Sequence, residues 1–443
     1  MKKVLILGAG YTVKPMVDYF LDKCGHEVTL TSIKKQEAEK LINNRLGGKA
    51  VCWTLEQVEV LDQLVKTADI VIAMVPRFCH AIALKLCLKY NKTMLTADFM
   101  HSEISAFDEQ AKKQGVLILT ELGEDPGLDN MGARQMIDEA KAQKGKILSL
   151  TSYGAGLPSF EHNRNPFGYK FSWDPKGLMR SAVTPAAYIV KGKKVDVPAK
   201  FEHTRIIDVH GIGTFEVYAN TDCTRYISVF GLDKDVTIFK GLLRFPGWCS
   251  TITAFLKLKL IENNIEEDFK NTTYAQFMAR LVDVETSENI KMDTIKTDVA
   301  KFLGISVQDD IIKRMNWLGI FDSVQIPLKK GNNSAVLVDL MLKKMSYGPA
   351  EKDMIIVHNE IVVEFPDRKE KRIASMLVQG TPGGYSAMAG AVSLPVAIAA
   401  RIILEGKVKR TGVCMPTTPD LYQPILKEMS TLVFSFKRDT IIL

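Results

Sequence analysis

Short apolar runs alternate with helix-like segments along the first 121 residues of the chain. The runs are VLIL at 4–7, HEVTLTS at 26–32, AVCW at 50–53, ADIVIAMV at 68–75, TMLTAD at 93–98 and GVLILTE at 115–121. Runs of this length fit strands that are buried on both faces, and the spacing between them leaves room for helices. The order predicts an α/β domain built on an open, doubly wound parallel sheet, with ligand-binding residues at the carboxyl ends of its strands.

The pattern changes after residue 148. Strand-like runs such as KFEHTRIIDV and GTFEVYAN, separated by Gly/Pro turns, predict a mixed α+β domain, and the charged helical pattern of 250–324 predicts a helical insertion. MIIVHNEIVVEF, at 354–365, is expected to form two short strand halves, and 385–405 a long helix that packs on the first domain. The predicted domains are a Rossmann domain at 1–125 with 386–443, a substrate domain at 126–249 with 325–385, and the insertion at 250–324.

Composition limits the class of protein. The 443 residues are 46% hydrophobic, enough for two or three domains, and the net charge of +7 is spread without dense basic blocks, which suits an enzyme with anionic ligands rather than a nucleic-acid-binding protein. Seven scattered cysteines without C-x-x-C spacing indicate reduced thiols and argue against a zinc site. We find no apolar stretch of about 18 residues and no signal sequence, so we expect a soluble, cytoplasmic protein without a membrane segment.

A glycine turn follows the first predicted strand. Gly8 ends the apolar run, Gly10 leaves space for phosphate oxygens, and the helix that follows directs its N-terminal amides at an anion. The third glycine of G-x-G-x-x-G is replaced by Val13, and Pro15 is tolerable only in the first helical turn. The pattern predicts a dinucleotide held by the turn residues Gly8, Gly10, Tyr11, Thr12 and Val13.

The end of the second strand indicates which dinucleotide binds. An NAD ribose usually meets an Asp or Glu about 20 residues beyond the glycines, and none stands there. Ser32, Lys34 and Lys35 instead offer a hydroxyl and two ammonium groups to a 2′-phosphate, so we predict NADP(H). The alternative, that the lysines form a solvated helix start, stays open at this point.

Several downstream segments together resemble the glutamate-forming saccharopine dehydrogenases, also called saccharopine reductases. They are ELGEDPGLD at 121–129, YGAGLP at 153–158, NPFGYKFSW at 165–173, GLLRF at 241–245, YSAM at 385–388 and VSLPVAIAARIILEGKV at 392–408. The resemblance implies an NADP-linked homodimer that joins or separates glutamate and 2-aminoadipate 6-semialdehyde through saccharopine. The nicotinamide supplies the redox chemistry, and the protein supplies position and proton management.

The resemblance also implies residue roles. It places substrate-binding arginines at Arg225 and Arg244, which suits a substrate with three carboxylates; each of them alternatively forms a structural ion pair. The other implied substrate contacts are Lys170, Ser172, Asp98, Phe99 and Asp125. Further cofactor contacts are expected at Thr54, Pro76, Gly123 and Asp125.

Asp125 is the first candidate for the residue that moves the proton, and Asp98 is the second. Alternatively, Asp125 organises the turn at Pro126-Gly127, and Asp129 caps the next helix. We interpret His80 and His101 as helix caps or surface residues.

Some positions depart from the family. Its members usually carry Leu or Val where Glu124 stands and Thr where Leu242 stands, which leaves the amino-acid half of the substrate open. One alternative is a related opine-like imine reductase, such as a carboxynorspermidine dehydrogenase, but Arg225, Arg244 and Lys170 argue for a polyanionic substrate. Another is a protein that binds NADPH without turnover.

Overall fold

The computed structural model describes residues 1–284 and 292–443. The N-terminal region alternates strands and helices as the apolar runs predict. Its elements are β1 Lys3–Leu7, α1 Lys14–Asp18, β2 Glu27–Ser32, α2 Lys35–Ile42, β3 Gly48–Cys52, α3 Val58–Thr67, β4 Ile70–Ala73, α4 His80–Lys89, β5 Thr93–Leu95, α5 Ser102–Ser105, α6 Asp108–Gln114 and β6 Leu117–Leu119. A π-helical turn at Tyr19–Lys23 continues α1.

The middle of the chain is mixed and then helical. The mixed part comprises α7 Leu128–Ala142, β7 Lys146–Pro158, α8 Pro175–Ala182, β8 Ala186–Val190, β9 Lys193–Val197, β10 Arg205–Val209, β11 Gly213–Ala219, α9 Tyr226–Phe230 and β12 Thr237–Arg244. The helical part comprises α10 Trp248–Lys257, β13 Glu267–Asp268, α11 Tyr274–Leu281, α12 Met292–Leu303, α13 Asp310–Leu318, β14 Lys330–Gly331 and α14 Asn333–Met345. The last elements are β15 Asp353–Glu364, β16 Lys369–Gln379, α15 Ala387–Leu404, β17 Gly412–Cys414, α16 Pro419–Thr431 and β18 Lys437–Ile442.

The first sheet is parallel, with strand order β17-β6-β5-β4-β1-β2-β3. Along β1, Val4 and Ile6 enter one hydrophobic core while Leu5 and Leu7 enter another, which explains a continuous apolar run. The predicted doubly wound α/β architecture is confirmed. The seventh strand, β17, comes from near the other end of the chain.

The second sheet is mixed, with main strand order β10-β11-β12-β7-β15-β16-β18 and the β8–β9 hairpin beside β12. The prediction of two strand halves at 354–365 is wrong, because β15 is one strand of 12 residues. The polar pair in its middle bonds to neighbouring elements, although the Asn359 side-chain oxygen has no partner among the described residues. His358 bonds to the Ser375 hydroxyl at 2.7 Å, and Asn359 donates to the Asp129 carbonyl at 3.0 Å.

The helical part packs into one core with the second sheet. Its last helix, α14, lies wholly beyond residue 324, the predicted end of the insertion. Within the range 386–443, α15, β17 and α16 pack with the first sheet, whereas β18 extends the second sheet by pairing with β16. Backbone hydrogen bonds to β16 hold β18 in the second sheet. Every one of its side chains is exposed, so the pattern of apolar residues in the sequence does not indicate a strand here. The domain boundaries themselves stay a prediction.

Helix α15 is 18 residues long with a mean hydropathy of 1.9, which is long and apolar enough to cross a membrane. This differs from the sequence expectation, because Arg401 interrupts the apolar run without ending the helix. In the fold, 78% of the helix is buried. It lies in one hydrophobic core with residues of β1, α1 and β15, as the predicted packing on the first domain requires, so the fold explains its hydropathy as that of a core helix.

Candidate active site

The glycine turn has the geometry that a dinucleotide diphosphate needs. Gly8 has φ +99°, and a Cβ there would lie 2.3 Å from the Met74 carbonyl oxygen, so no larger residue fits. Above Gly10, by contrast, a Cβ would meet nothing within 4 Å. Val13 is buried in place of the third glycine, and Pro15 stands in the first turn of α1. The open space over the turn fits phosphate oxygens.

The end of β2 presents the polar groups predicted for a 2′-phosphate. The Ser32 hydroxyl donates to Glu37 at 3.0 Å and accepts the Lys34 backbone N–H at 3.2 Å. The lysine ammonium groups lie 3.9 Å from Glu37 (Lys34) and 3.1 Å from Glu39 (Lys35), and both side chains are more than half exposed. Such exposed pairs are weak, so both ammonium groups are free to turn toward a ligand.

The remaining predicted cofactor contacts occupy loops at the carboxyl ends of the first sheet's strands. Tyr11 is 59% exposed in the glycine turn, the Thr54 N–H donates to Gln57 after β3, and Pro76 follows β4. Phe78, which was not among the predicted contacts, is 67% exposed at the same edge. An exposed aromatic side chain here offers a flat apolar surface to a base or a nicotinamide.

Asp98 lies in a cluster with two histidines at the end of β5. Its carboxylate accepts the Phe99 N–H at 2.8 Å and lies 3.2 Å from His101 Nε2 and 4.0 Å from His80 Nδ1. Burial favours the neutral acid, but the His101 hydrogen bond and the two imidazoles outweigh it, and the pKa of Asp98 is lowered. His80 is buried, and its Nε2 bonds to the Val75 carbonyl at 2.9 Å, so it is neither a cap nor a surface residue.

Glu121, directly beyond β6, is fully buried and fully hydrogen-bonded. It adopts φ +58°, which is strained for a residue with a side chain. Its carboxylate accepts the Met100 N–H at 3.1 Å, the Tyr226 hydroxyl at 3.1 Å, the Asn130 amide at 3.0 Å and the Arg225 guanidinium. Arg225 also donates to the Met100 carbonyl at 2.9 Å. Arg225 therefore joins the substrate domain to the first sheet in this structure.

Lys240 on β12 is a second buried charge with partners. Its ammonium pairs with Asp129, donates to Asn130 at 2.6 Å and lies 4.0 Å from Asp125. Burial opposes the charge, but the carboxylates outweigh it and raise the lysine's pKa. The Asp129 carboxylate also accepts the Gly127 N–H at 2.7 Å, so it contributes to the start of α7.

The turn between β6 and α7 presents two acidic side chains to the interior. The Gly123 N–H donates to the Pro126 carbonyl at 2.8 Å, and the peptide bond before Pro126 is cis. Gly127 has φ +153°, and a Cβ there would lie 2.0 Å from the Gly123 carbonyl oxygen, so the turn accepts only glycine. Glu124 and Asp125 stand between these glycines.

Asp125 is buried against β7. Its Oδ2 accepts the Asn220 amide at 3.2 Å, whereas its Oδ1 has no hydrogen-bond partner among the described residues. A Cβ at Gly154 would lie 2.8 Å from Oδ2, so glycine leaves the room that the carboxyl occupies. Burial and the charge of Asp129 raise the pKa of Asp125 to about 7, against the opposing charge of Lys240. This suits a group that exchanges a proton near neutral pH.

Glu124 is likewise buried, and its Oε1 lacks a partner within the described ranges. Burial, followed by the charges of Asp125 and Asp129, raises its pKa well above the usual value. The Ala155 N–H and the charge of Arg244 oppose that rise. A neutral acid is the favoured form when no cation lies beside it.

Two other buried cations have no carboxylate within 4.0 Å in the part of the chain that the structure describes. Arg244, 3% exposed, donates to the Leu243 carbonyl at 2.7 Å and leaves Nε without a partner. Lys200, also 3% exposed, donates to the Asn220 carbonyl at 3.2 Å. They lie 5.8 and 5.9 Å from the centre of the Tyr218 ring. Burial and the charge of Arg244 lower the pKa of Lys200 to about 8.

Two further predicted substrate contacts differ from each other. The Lys170 ammonium lies 2.5 Å from Glu351 and is thus already paired. The Ser172 hydroxyl is buried without a partner among the described residues and would lie 3.5 Å from a Cβ at Gly156. Ser172 and Asp125 therefore both face the glycines of β7, whereas Lys170 is held beside Glu351.

Comparison with known proteins identifies the family of this chain. Residues 123–432 match the saccharopine dehydrogenase C-terminal domain, and residues 4–119 match the saccharopine dehydrogenase NADP binding domain. The chain belongs to the saccharopine dehydrogenase family. This confirms the resemblance noted in the sequence and agrees with the prediction of NADP(H) as cofactor.

Individual relatives extend the comparison. The mitochondrial alpha-aminoadipic semialdehyde synthase of Bos taurus is 32% identical over 97% of this chain, and the chain spans 46% of that protein, about half its length. The saccharopine dehydrogenase [NADP(+), L-glutamate-forming] of Schizosaccharomyces pombe is 27% identical, with 97% of each chain covered. The apo structure of the L-Glu-forming saccharopine dehydrogenase from Saccharomyces cerevisiae superposes with a TM-score of 0.86 at 26% identity over the full length of both chains.

Sequence reasoning missed three members of the site: Lys200, Asn220 and Lys240. None lies in a recognisable motif. Asn220 and Lys240 contact Asp125 or Asp129 from about 95 to 115 positions further along the chain, and Lys200 bonds to the Asn220 carbonyl. One signal was present. Lys240 is an isolated lysine in the apolar strand TIFKGLLR, and a lysine at a buried strand position requires a buried partner.

Proposed function

We propose that this chain is an NADP-dependent oxidoreductase of saccharopine, acting on its CH–NH bond to give L-glutamate and 2-aminoadipate 6-semialdehyde, or on the reverse imine reduction. The observation that carries the proposal is a pair of buried cations, Arg244 and Lys200, that have no carboxylate within 4.0 Å among the described residues. Lys200 donates to the Asn220 carbonyl, and the Asn220 amide in turn donates to Asp125. A substrate with three carboxylates and a secondary amine needs cations for the former and a proton acceptor for the latter. The names of the fungal relatives support the same reaction.

Asp125 is the proposed general base. With a pKa raised to about 7 by burial and Asp129, it accepts a proton from the substrate's secondary ammonium on Oδ1, the oxygen without a partner among the described residues. Lys240, 4.0 Å away, stabilises its charged form, and Asn220 fixes its orientation. Asp98 is the weaker candidate, because its lowered pKa makes it a poorer base.

The nicotinamide, when bound, supplies the hydride chemistry. The chain's own residues position the reacting groups and exclude bulk water. We propose that Arg244 and Lys200 hold a substrate carboxylate, that the Ser172 hydroxyl donates to the substrate, and that Phe99 lines the junction with the cofactor. After oxidation, Asp125 orients the water that hydrolyses the imine.

We propose that NADP(H) lies along the carboxyl edge of the first sheet. The diphosphate faces Gly8, Gly10, Tyr11, Thr12 and Val13, and the 2′-phosphate faces Ser32, Lys34 and Lys35. The remaining contacts are Thr54, Pro76, Gly123 and Asp125. Replacing Lys34 and Lys35 together with Ala is expected to weaken NADPH binding about tenfold, since hydrogen bonds to charged groups are lost. Fluorescence titration with NADPH and NADH measures this, and an unchanged preference contradicts the phosphate contacts.

A homodimer and a cytoplasmic location are further proposals. The resemblance implies the dimer, and the second sheet, which exposes Ile206 on β10 (58%) and Leu377 on β16 (42%), is the surface that we propose for its interface. All seven cysteines are free thiols, which fits a reducing compartment. Light scattering tests the dimer, which should have twice the 49.4 kDa of one chain, and cell fractionation tests the location.

Nicotinamide absorbance at steady state tests the function directly. With saccharopine present, we expect reduction of NADP+ and much slower reduction of NAD+. Turnover of a polyamine-derived imine in place of saccharopine would assign the chain to the related imine reductases. Tight NADPH binding with no turnover of either substrate would leave a non-catalytic binding protein.

A further inference from the structure

We propose that Glu124 determines substrate specificity by receiving the α-ammonium group of the aminoadipate half of the substrate, while Arg244 receives the carboxylate on the same carbon. The inference rests on the proposed function and names one subsite of that site. A buried carboxyl and a buried guanidinium that are not paired with each other match the two charges of an α-amino acid.

The strand register brings these groups together. Leu242 of β12 pairs with Gly154 of β7, and these two strands are parallel. Arg244, two residues beyond Leu242, therefore stands on the same face of the sheet as Leu242, alongside Gly156. The missing side chains at the two glycines make room for the Asp125 carboxyl at Gly154 and for the Met388 methyl group and the Ser172 hydroxyl at Gly156, so Asp125 and Ser172 lie on the face of the sheet that carries Arg244.

Unpartnered polar atoms gather at this place. Four buried side-chain atoms in this region have no hydrogen-bond partner among the described residues: Glu124 Oε1, Asp125 Oδ1, Ser172 Oγ and Arg244 Nε. Two acceptors, one hydroxyl and one cationic donor form a set that a substrate with one α-amino-acid end and one secondary amine would satisfy. Buried polar groups without partners are rare in folded proteins, and a ligand is one of the accepted reasons for them.

Charge supports the same assignment. Glu124 has a raised pKa because of its burial and the nearby charges of Asp125 and Asp129. An ammonium group within a few ångströms would favour its charged form, which makes the interaction specific to cationic substrates. Asp125 then receives the secondary amine, so that each of the two acids binds one nitrogen of the substrate.

Two variants at one position test the proposal. Glu124→Gln keeps the shape without the charge, and Glu124→Leu removes both. Glu360→Gln is the matched control, because Glu360 lies on β15 and pairs with His358 and Lys371, away from the acidic turn. Thermal unfolding verifies that each variant folds; if Glu124→Leu fails to fold, Glu124→Gln alone decides.

The readout is the ratio of kcat/KM for saccharopine to kcat/KM for N-(5-carboxypentyl)glutamate, which lacks only the α-ammonium group. We expect wild type and Glu360→Gln to share a high ratio, and Glu124→Leu to lower it at least tenfold through slower use of saccharopine. An unchanged ratio, or an equal change for both substrates, overturns the proposal and leaves Glu124 as a counter-charge to Arg244. If wild type turns over neither compound, the proposed function fails and this subsite with it.

Discussion

Glu121 and Glu124 stand three positions apart in one turn and are both buried, yet their surroundings are opposite. Glu121 accepts four hydrogen bonds from four different residues, whereas Glu124 has an oxygen without any partner in the described structure. A saturated carboxylate has no capacity left for a ligand, so it holds the fold. An unsaturated one retains that capacity at a cost in stability, as expected of a binding site.

The same contrast separates the two arginines that the resemblance singled out. Arg225 pairs with Glu121 and bonds to the Met100 carbonyl. Arg244 has no carboxylate within 4.0 Å in the described part of the chain. Residue type alone does not distinguish a structural arginine from a binding one, but the partners of each guanidinium do.

We expect the largest effect from removing the Glu121 carboxylate, the common acceptor of four hydrogen bonds. Glu121→Ala leaves a guanidinium, a hydroxyl and two amides without their acceptor, and we expect the free energy of unfolding to fall by about 3–5 kcal/mol. Urea denaturation measures the change. Glu103→Ala, which removes an exposed partner of Arg77, is the control and should cost at most about 1 kcal/mol. Equal losses in the two variants would refute the contrast.

Around Glu124 and Arg244, we expect a substitution to weaken substrate binding rather than to lower the free energy of unfolding. Arg244→Met removes a buried charge that has no carboxylate within 4.0 Å among the described residues, so the free energy of unfolding should stay the same or rise. KM for saccharopine should increase by about 10- to 100-fold, the equivalent of one or two charge-assisted hydrogen bonds. Steady-state kinetics and urea denaturation of the same preparation separate the two effects. An unchanged KM would remove the substrate assignment.

Asp125, which stands in the same turn as Glu121 and Glu124, should make the stability of the protein depend on pH. Its pKa is about 3.8 in the unfolded chain and about 7 in the fold, so the native state holds an extra proton between these values. Wild type should therefore lose stability relative to Asp125→Asn as pH rises from about 4 to 7, by roughly 1.4 kcal/mol per pH unit, and the difference should be constant below and above that window. Urea denaturation of both proteins at a series of pH values measures this difference. If the two plots of stability against pH run parallel, the pKa of Asp125 is not raised.

The smallest effect on kinetics is expected at Lys170. Because its ammonium is already paired with Glu351, Lys170→Met should change KM for saccharopine less than about threefold and cost about 1 kcal/mol of stability. Glu351→Gln is the matched partner variant. A rise in KM as large as that of Arg244→Met would show that Lys170 leaves Glu351 to contact the substrate.

The first sheet was predictable because each central strand is apolar on both faces, a pattern that reads directly from the sequence. Strand β17 was not, since three residues carry no periodicity and its place depends on pairing with β6. The single strand β15 was obscured by His358 and Asn359, whose partners lie on β16 and α7. Local pattern predicts an element, and distant partners decide its length.

The candidate site divides in the same way. The glycine turn, Asp98 and Asp125 were accessible because each follows a predicted strand, and Arg244 because it lies in a recognisable segment. Whether a carboxylate there is saturated depends on residues roughly 100 positions away, as for Glu121 with Arg225 and Tyr226. No local sequence signal encodes that, so the division between structural and binding groups required the fold.

The position of β17 at the edge of the first sheet has a consequence for biosynthesis. β6 ends at Leu119, but the covering helix α15 begins only at Ala387 and β17 at Gly412, so a ribosome releases both long after β6. Until then, the nascent chain carries the open edge of β6 and an uncovered apolar face, both of which favour aggregation. The N-terminal half is therefore expected to need chaperone protection during synthesis, and a fragment that ends before residue 412 should be recovered mainly as insoluble protein.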